Sequence, residues 1–413
     1  MPPWCILCSL FDPVDDQPYL KYGEEKIATP AARADNALAA RQGLVLLQGG
    51  PLPFPRGTPG AVTAVIGFCG NSTDALVSNY VNQFCVNGRE CFPTLLQSIG
   101  GLGEATAFAQ GCSSPTACPP PLVSAAVALA GAATTSRVVL CLGIGQGQEA
   151  EQLDRVNTTL PGAQQLLFAG VAAAAAGASK PLAVVLVHGG ALSVGEVKGA
   201  QPLVGIIDAF YPGPEGGGAI ADALFGEYNP GGKLPYTVYG EGYAGALDMA
   251  DMRVAEVGRT YRYYGLGGQM PGGGLLWPFG FGLSYTTFSL DYTGPPALLL
   301  TPSSPMVQLP VRVSNTGGRE GDEVLQVYIA ALAGSLSAPV PPYVPVRSLV
   351  FFERLRVGAG QGSGVSVTLT AWLCNLTLSD GTQKPVDGNY TVILSRGQGV
   401  GPEIPVPLSL SGW

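Results

Sequence analysis

Four short stretches in the first half of the chain are apolar at almost every position: AVTAVIG (residues 61–67), RVVLCLG (137–143), PLAVVLV (181–187) and LVGIIDAF (203–210). Each is rich in β-branched residues and bounded by turn formers, which is how a strand buried on both faces reads. Between them lie LVSAAVALAGAA, GAQQLLFAGVAAAA and GGGAIADALFG, Ala- and Leu-rich stretches that read as helices. Strand and helix in alternation predict an α/β fold over residues 34–240, a mostly parallel sheet with helices packed on its faces. Ligands bind where loops leave the strand ends of such a sheet. The stretch GQGQEAEQLDRVNTTLPGAQQLL (145–167) starts where RVVLCLG ends, so its position suits a site.

From about Val307 the texture changes. VQLPVRVSN, DEVLQVYIA, RSLVFFERLRV, GVSVTLTAW and NYTVILS carry β signals without helical periodicity, and NTGGREGD, GAGQGSG and PVDGN supply turns. That pattern predicts a β-sandwich of the immunoglobulin or fibronectin kind over residues 296–413. Residues 241–295, with YYGLGGQMPGGGLLWPFGFGLSYTTFSL, read as an ordered but irregular connector. Residues 1–33 are polar, turn-rich and aperiodic, as expected of a linker that follows something else.

Composition narrows the partners. The 413 residues carry a net charge of −8 with only 21 Lys and Arg, so a basic patch for nucleic acid or an anionic membrane is hard to assemble. A neutral substrate fits better. The most apolar run, LLFAGVAAAAAGA (166–178), is broken by glycines and falls short of the roughly 20 residues that span a bilayer. The N-terminus has no basic region and too short an apolar core for a signal peptide. Nine cysteines show no zinc-like pairing, and no metal or cofactor is expected. Cys5 and Cys8 form a CxxC without the βαβ context of a redox motif. Cys112 and Cys118 flank a Pro-containing turn that suits a small disulfide loop, Cys85 and Cys91 flank VNGRE in the same way, and the odd count leaves a thiol free. Asn71, Asn157, Asn375 and Asn389, four of ten asparagines, open N-x-[ST] sequons, which points to a secreted glycoprotein.

Several motifs fall away on their spacing. Gly143, Gly145 and Gly147 follow a strand, but Gln148 stands where G-x-G-x-x-G needs its third glycine, and NPGGKLP lacks the Ser or Thr of a phosphate loop. His188, the only histidine, lies near Ser193 without a G-x-S-x-G elbow, and reads as a polar residue at a strand end. Glu149, Glu151, Asp154 and Arg155 remain. In an extended backbone the two glutamates would point the same way, and the Asp-Arg pair could fix the loop through salt bridges. On spacing alone a solvated acidic loop is the default.

SLFDPVDDQPY, AARQGLVLL, AVIGFCGNST, QEAEQLDRVNTTLPGAQQLL, FYPGPEGGGAIADALFGEYNPGGKLPYTVY, GRTYRYY and WPFGFGLSYTTF together resemble glycoside hydrolase family 3, most closely its plant-type β-xylosidase and α-arabinofuranosidase branch. VSNTGGREGDEVLQVYI and LVFFERLRV resemble the fibronectin type III-like domain that closes these enzymes. The resemblance implies a (β/α)8 barrel of roughly 250 residues ahead of this chain, then the α/β sandwich domain and the fibronectin-like domain. It also implies a retaining exo-acting β-glycosidase of the cell wall, acting on an oligosaccharide or aryl β-glycoside. The nucleophilic aspartate would belong to the barrel and the general acid/base to a glutamate here. Glu151 matches the family's E-x-x-D-R best, and Glu149 is the alternative. A second reading is a stand-alone carbohydrate-binding or structural module without catalysis, because an acid lacking its nucleophile would be idle.

Overall fold

The computed structural model describes residues 12–79, 92–200, 204–268, 270–337 and 342–413. Six strands form the first sheet: β1 (Val45–Gln48), β2 (Val62–Ile66), β3 (Ala105–Ala109), β4 (Arg137–Gly143), β5 (Leu182–Val187) and β6 (Val204–Asp208). Their order is β1-β6-β5-β4-β2-β3. All neighbours are parallel except β1, which closes the edge antiparallel to β6.

The apolar runs of β4, β5 and β6 are buried at every position because both faces are covered. Val138, Leu140, Leu142, Val184 and Leu186 pack on one face against Leu167, Val171 and Ala175 of the helix Gln164–Gly177. Their alternates Val139, Cys141, Val185 and Val187 pack on the other against Leu95 and Ile99 and against Ile220 and Leu224. Each fully buried Val or Leu contributes about 1.5–3 kcal/mol, so the strand ends are rigid mounts for the loops that leave them.

The helix Pro30–Gly43 begins inside the stretch read as linker, capped by the Thr29 hydroxyl, which accepts from Ala32 N. The sandwich likewise begins inside the stretch read as connector. There β9 (Phe288–Tyr292) pairs antiparallel with β11 (Met306–Asn315), because its register with Val311–Asn315 completes a sheet edge. The rest of the sandwich is β10 (Leu298–Leu300), β12 (Gly321–Ala331), β13 (Ser348–Val357), β14 (Gly362–Thr370), β17 (Gly388–Ser395) and β18 (Ile404–Leu410), with a side hairpin of β15 (Asn375–Thr377) and β16 (Gln383–Pro385). A five-stranded and a three-stranded sheet face each other across Leu309, Val311, Leu325, Val327, Val367, Val392 and Leu408. Between the two domains, β7 (Val238–Tyr239) pairs with β8 (Leu275–Trp277).

The domains meet through buried charge. Lys233 Nζ lies 2.7 Å from Glu323 Oε1, and Arg396 lies 3.1 Å from Glu323 Oε2. Gln326 donates to the Gly280 carbonyl at 3.0 Å, and Asn229 to the Glu320 carbonyl at 3.1 Å.

Candidate active site

The chain runs outward from β2 to β3 on one side and crosses to β4 on the other, so the loops leaving β2 and β4 diverge and open a crevice. The acidic loop springs from β4 at that point. Gly143 launches it at φ 152°, and a Cβ there would overlap the Val187 carbonyl of β5. Gln164, fully buried, staples the base of the loop. Its Oε1 accepts from Gly143 N at 2.9 Å, and its Nε2 donates to the carbonyls of Gly143 at 2.7 Å and Pro115 at 2.8 Å.

The two glutamates are held differently. Glu149 Oε1 accepts the Gly189 N–H at 2.6 Å, and the Gly190 N–H lies 3.1 and 2.9 Å from Oε1 and Oε2. Arg155 lies 3.5 Å from Oε2 and donates to the Ala191 carbonyl at 2.9 Å. Glu151 instead stands exposed in a tight turn, closed by Ala150 N to Leu153 O at 3.3 Å and Leu153 N to Ala150 O at 3.0 Å. The locally extended backbone that would aim both carboxylates alike is therefore not formed. Gln152, next to Glu151, has φ 65°, a left-handed conformation that costs a non-glycine residue roughly 1–2 kcal/mol.

Asp154 is exposed and lines, with Ile144, Gln148, Arg155, Asn157 and Thr159, a hollow of about 230 Å³ beside this turn. The salt bridge fixing the loop runs from Arg155 to Glu149, not through Asp154. Tyr211 and Tyr236 flank the clamp. Burial foremost, then the charge of Glu149, pushes the Tyr211 phenol up, while burial, Asp208 and Glu149 do so for Tyr236, so both stay protonated.

His188 and Asp208 are both buried, 2.9 Å apart from Nε2 to Oδ1. Asp208 was not singled out in the sequence, although it and His188 are the polar residues that close two apolar strands. Ser193 is no nucleophile for His188, since its hydroxyl bonds to Thr158 at 2.7 Å and to the Tyr239 carbonyl at 2.8 Å.

The remaining candidates lie elsewhere. The sulfurs of Cys112 and Cys118 are joined in the loop after β3. A second disulfide, Cys69–Cys141, ties the segment after β2 to β4, and Cys374 is buried and free. Cys5, Cys8, Cys85 and Cys91 lie outside the described residues. Asn71, Asn157 and Asn389 are exposed, whereas Asn375 is half-buried. Among the described residues no group of three His, Cys, Asp or Glu could hold a metal ion, and no helix is long and apolar enough to cross a membrane.

Fold and site together define a layered α/β domain that presents a free carboxylic acid on the loop after a central strand, coupled to a β-sandwich. Residues 44–285 match the glycosyl hydrolase family 3 C-terminal domain, and the chain belongs to that family. It is 33% identical over 397 residues to Beta-D-xylosidase 1 of Arabidopsis thaliana, covering 86% of this chain and 47% of the relative. It is 30% identical over 395 residues to a probable exo-1,4-beta-xylosidase of Aspergillus terreus, covering 92% and 48%. A solved GH3 exo-beta-xylosidase in complex with a xylobiose aziridine activity based probe superposes with a TM-score of 0.84 at 26% identity, over 99% of this chain and 52% of that one. The chain spans about half the length of the curated relatives it matches.

Proposed function

We propose that this chain supplies the general acid/base, Glu151, of a retaining exo-β-glycosidase that removes xylose from β-1,4-xylo-oligosaccharides. The observation that carries the reading is the contrast within the loop. The oxygens of Glu149 are committed to Gly189 and Gly190, while Glu151 has no hydrogen-bond or ion-pair partner among the described residues and stands at the tip of a turn braced by that clamp. An acid must hold a proton it can deliver, which a carboxylate saturated by the protein's own donors cannot do. Retaining hydrolysis places two carboxyls about 5–5.5 Å apart. One attacks the anomeric carbon; the other protonates the departing oxygen and later takes a proton from water.

The attacking aspartate would come from the (β/α)8 barrel that the resemblance implies. Xylose as the sugar is supported by the relatives' names. In the same reading the β-sandwich is the fibronectin type III-like domain, and the exposed sequons at Asn71, Asn157 and Asn389 fit a secreted glycoprotein.

The test is Glu151→Gln in the full-length protein. Turnover of xylobiose is expected to fall by roughly 10²–10⁴, while turnover of an activated aryl β-xyloside, whose leaving group needs no proton, is expected to recover when azide replaces base-activated water at the glycosyl-enzyme. Wild-type turnover in that variant would remove Glu151 from the site. Absence of turnover in the native protein would favour the binding-module reading.

A further inference from the structure

Four polar groups of the Gly189–Ala191 turn are held by ionisable side chains. Its N–H groups at 189 and 190 go to Glu149, its carbonyl at 191 to Arg155, and its carbonyl at 190 lies 2.8 Å from His188 Nδ1. The turn leaves no room. A Cβ on Gly189 would come within 2.8 Å of Glu149 Oε1 and 2.9 Å of the Tyr211 ring, and one on Gly190 within 2.7 Å of Arg155.

His188 reaches the turn from below. Its Nε2 is 2.9 Å from Asp208 Oδ1, so a carboxylate stands against the second ring nitrogen. Oxygens thus face both ring nitrogens at close range, and only the doubly protonated imidazolium presents a hydrogen to each. Two acidic groups outnumber one basic group around it, which favours a charged ring: Asp208 at the end of β6 and Glu149 from the loop after β4 are acidic, while Arg155 from that loop is basic. Tyr211 and Tyr236 stay neutral, and Phe210 packs its ring 5.4 Å from the imidazole.

We propose that the His188–Asp208 pair is the positioning device of the acid/base loop: the imidazolium fixes the Gly189–Ala191 turn, the turn grips Glu149, and Glu149 sets where Glu151 stands. This rests on the reading of Glu151 as the acid/base, and adds to it a pair of buried residues that touch no substrate. Burial alone would lower the imidazole's affinity for its proton. Asp208, the Gly190 carbonyl and Glu149 outweigh burial and raise it above the ordinary value. When the ring loses a proton, the Asp208 carboxylate keeps the remaining one on Nε2, the Nδ1 lone pair then faces the Gly190 carbonyl, and the loop is released.

Because His188 is the chain's one histidine, ¹⁵N-histidine NMR of the 413-residue protein reads this imidazole without overlap. The expected result is a single titration with its midpoint above about 6.5, the ordinary value. Across the same pH interval, hydrogen exchange of peptides from residues 145–160, corrected for its intrinsic pH dependence, is expected to rise about ten- to a hundredfold, the effect of losing one hydrogen bond to a charged group. Peptides from β4 and β5 should stay protected. In Asp208→Asn both midpoints should move together to lower pH. A midpoint at or below about 6.5, or loop exchange that ignores the titration, overturns the proposal, and the wild-type series alone decides this if Asp208→Asn does not fold. Activity plays no part in these readouts. A loop that ignores His188 leaves Glu151 as the acid, and a fully active Glu151→Gln beside a latched loop removes only the acid.

Discussion

Glu149 and Glu151 stand two positions apart in QEAEQLDR and end in opposite circumstances, one gripped and one free. The pattern E-x-x-D-R points toward Glu151, but what separates the two glutamates is the arrival of Gly189 and Gly190 beneath the loop, a contact between distant segments that leaves no mark on local spacing. The tight turn was hidden for a related reason: Gln152 holds a conformation its side chain disfavours, so no turn-forming glycine or asparagine announces it. His188 read as a plain strand-end residue because its partner lies on the neighbouring strand. That pair makes two predictions about stability. Asp208→Ala leaves a buried imidazolium unpaired and is expected to cost about 3–5 kcal/mol in urea unfolding; a cost under about 1 kcal/mol, the range of an exposed pair, would show that the two charges do not interact. The folded value of His188 is raised, so its contribution is fully present below about pH 6.5 and is lost as pH rises through the folded value. Stability in His188→Gln should lack that decline toward alkaline pH.

At the scale of elements, the strands buried on both faces were the most legible, since β2, β4, β5 and β6 are the β-branched runs of the sequence. The two edge strands were not. β1 (VLLQ) follows directly on a helix, and β3 (ATAFA) is alanine-rich with little β-branched content. The disulfides divide in the same way: Cys112–Cys118 spans a turn visible in the sequence, whereas Cys69–Cys141 bridges a separation of 72 residues through the folded sheet. In the chain-entropy model, closing a loop of that length stabilises by about 4 kcal/mol. The double replacement of Cys69 and Cys141 by Ala should lower stability by about that amount in guanidinium titration. An unchanged midpoint would mean that the two thiols are not bonded in the native protein.

At the scale of the molecule, the change of texture near Val307 marked the sandwich, but its first strand and its anchorage on the α/β domain were set by pairings no local pattern carries. Glu323 of β12 holds that anchorage by serving Lys233 and Arg396 at once. Burial, with Arg396 and Arg354 close by, holds Lys233 below its ordinary value although Glu323 opposes the shift. Glu323→Ala would leave two cations buried together, an expected loss of about 3–5 kcal/mol. Calorimetry should then resolve separate transitions for the two domains, and one unshifted transition would contradict this coupling. The central claim is that the loop after β4 carries its acid at Glu151 and its anchor at Glu149. Its most direct test is leaving-group selectivity in the full-length protein with azide present. Glu151→Gln should spare an activated aryl β-xyloside, whose leaving group departs without a proton, while losing xylobiose by roughly 10²–10⁴, and Glu149→Gln should lower both substrates together. Selectivity found in Glu149→Gln instead, or none in Glu151→Gln, would contradict the assignment.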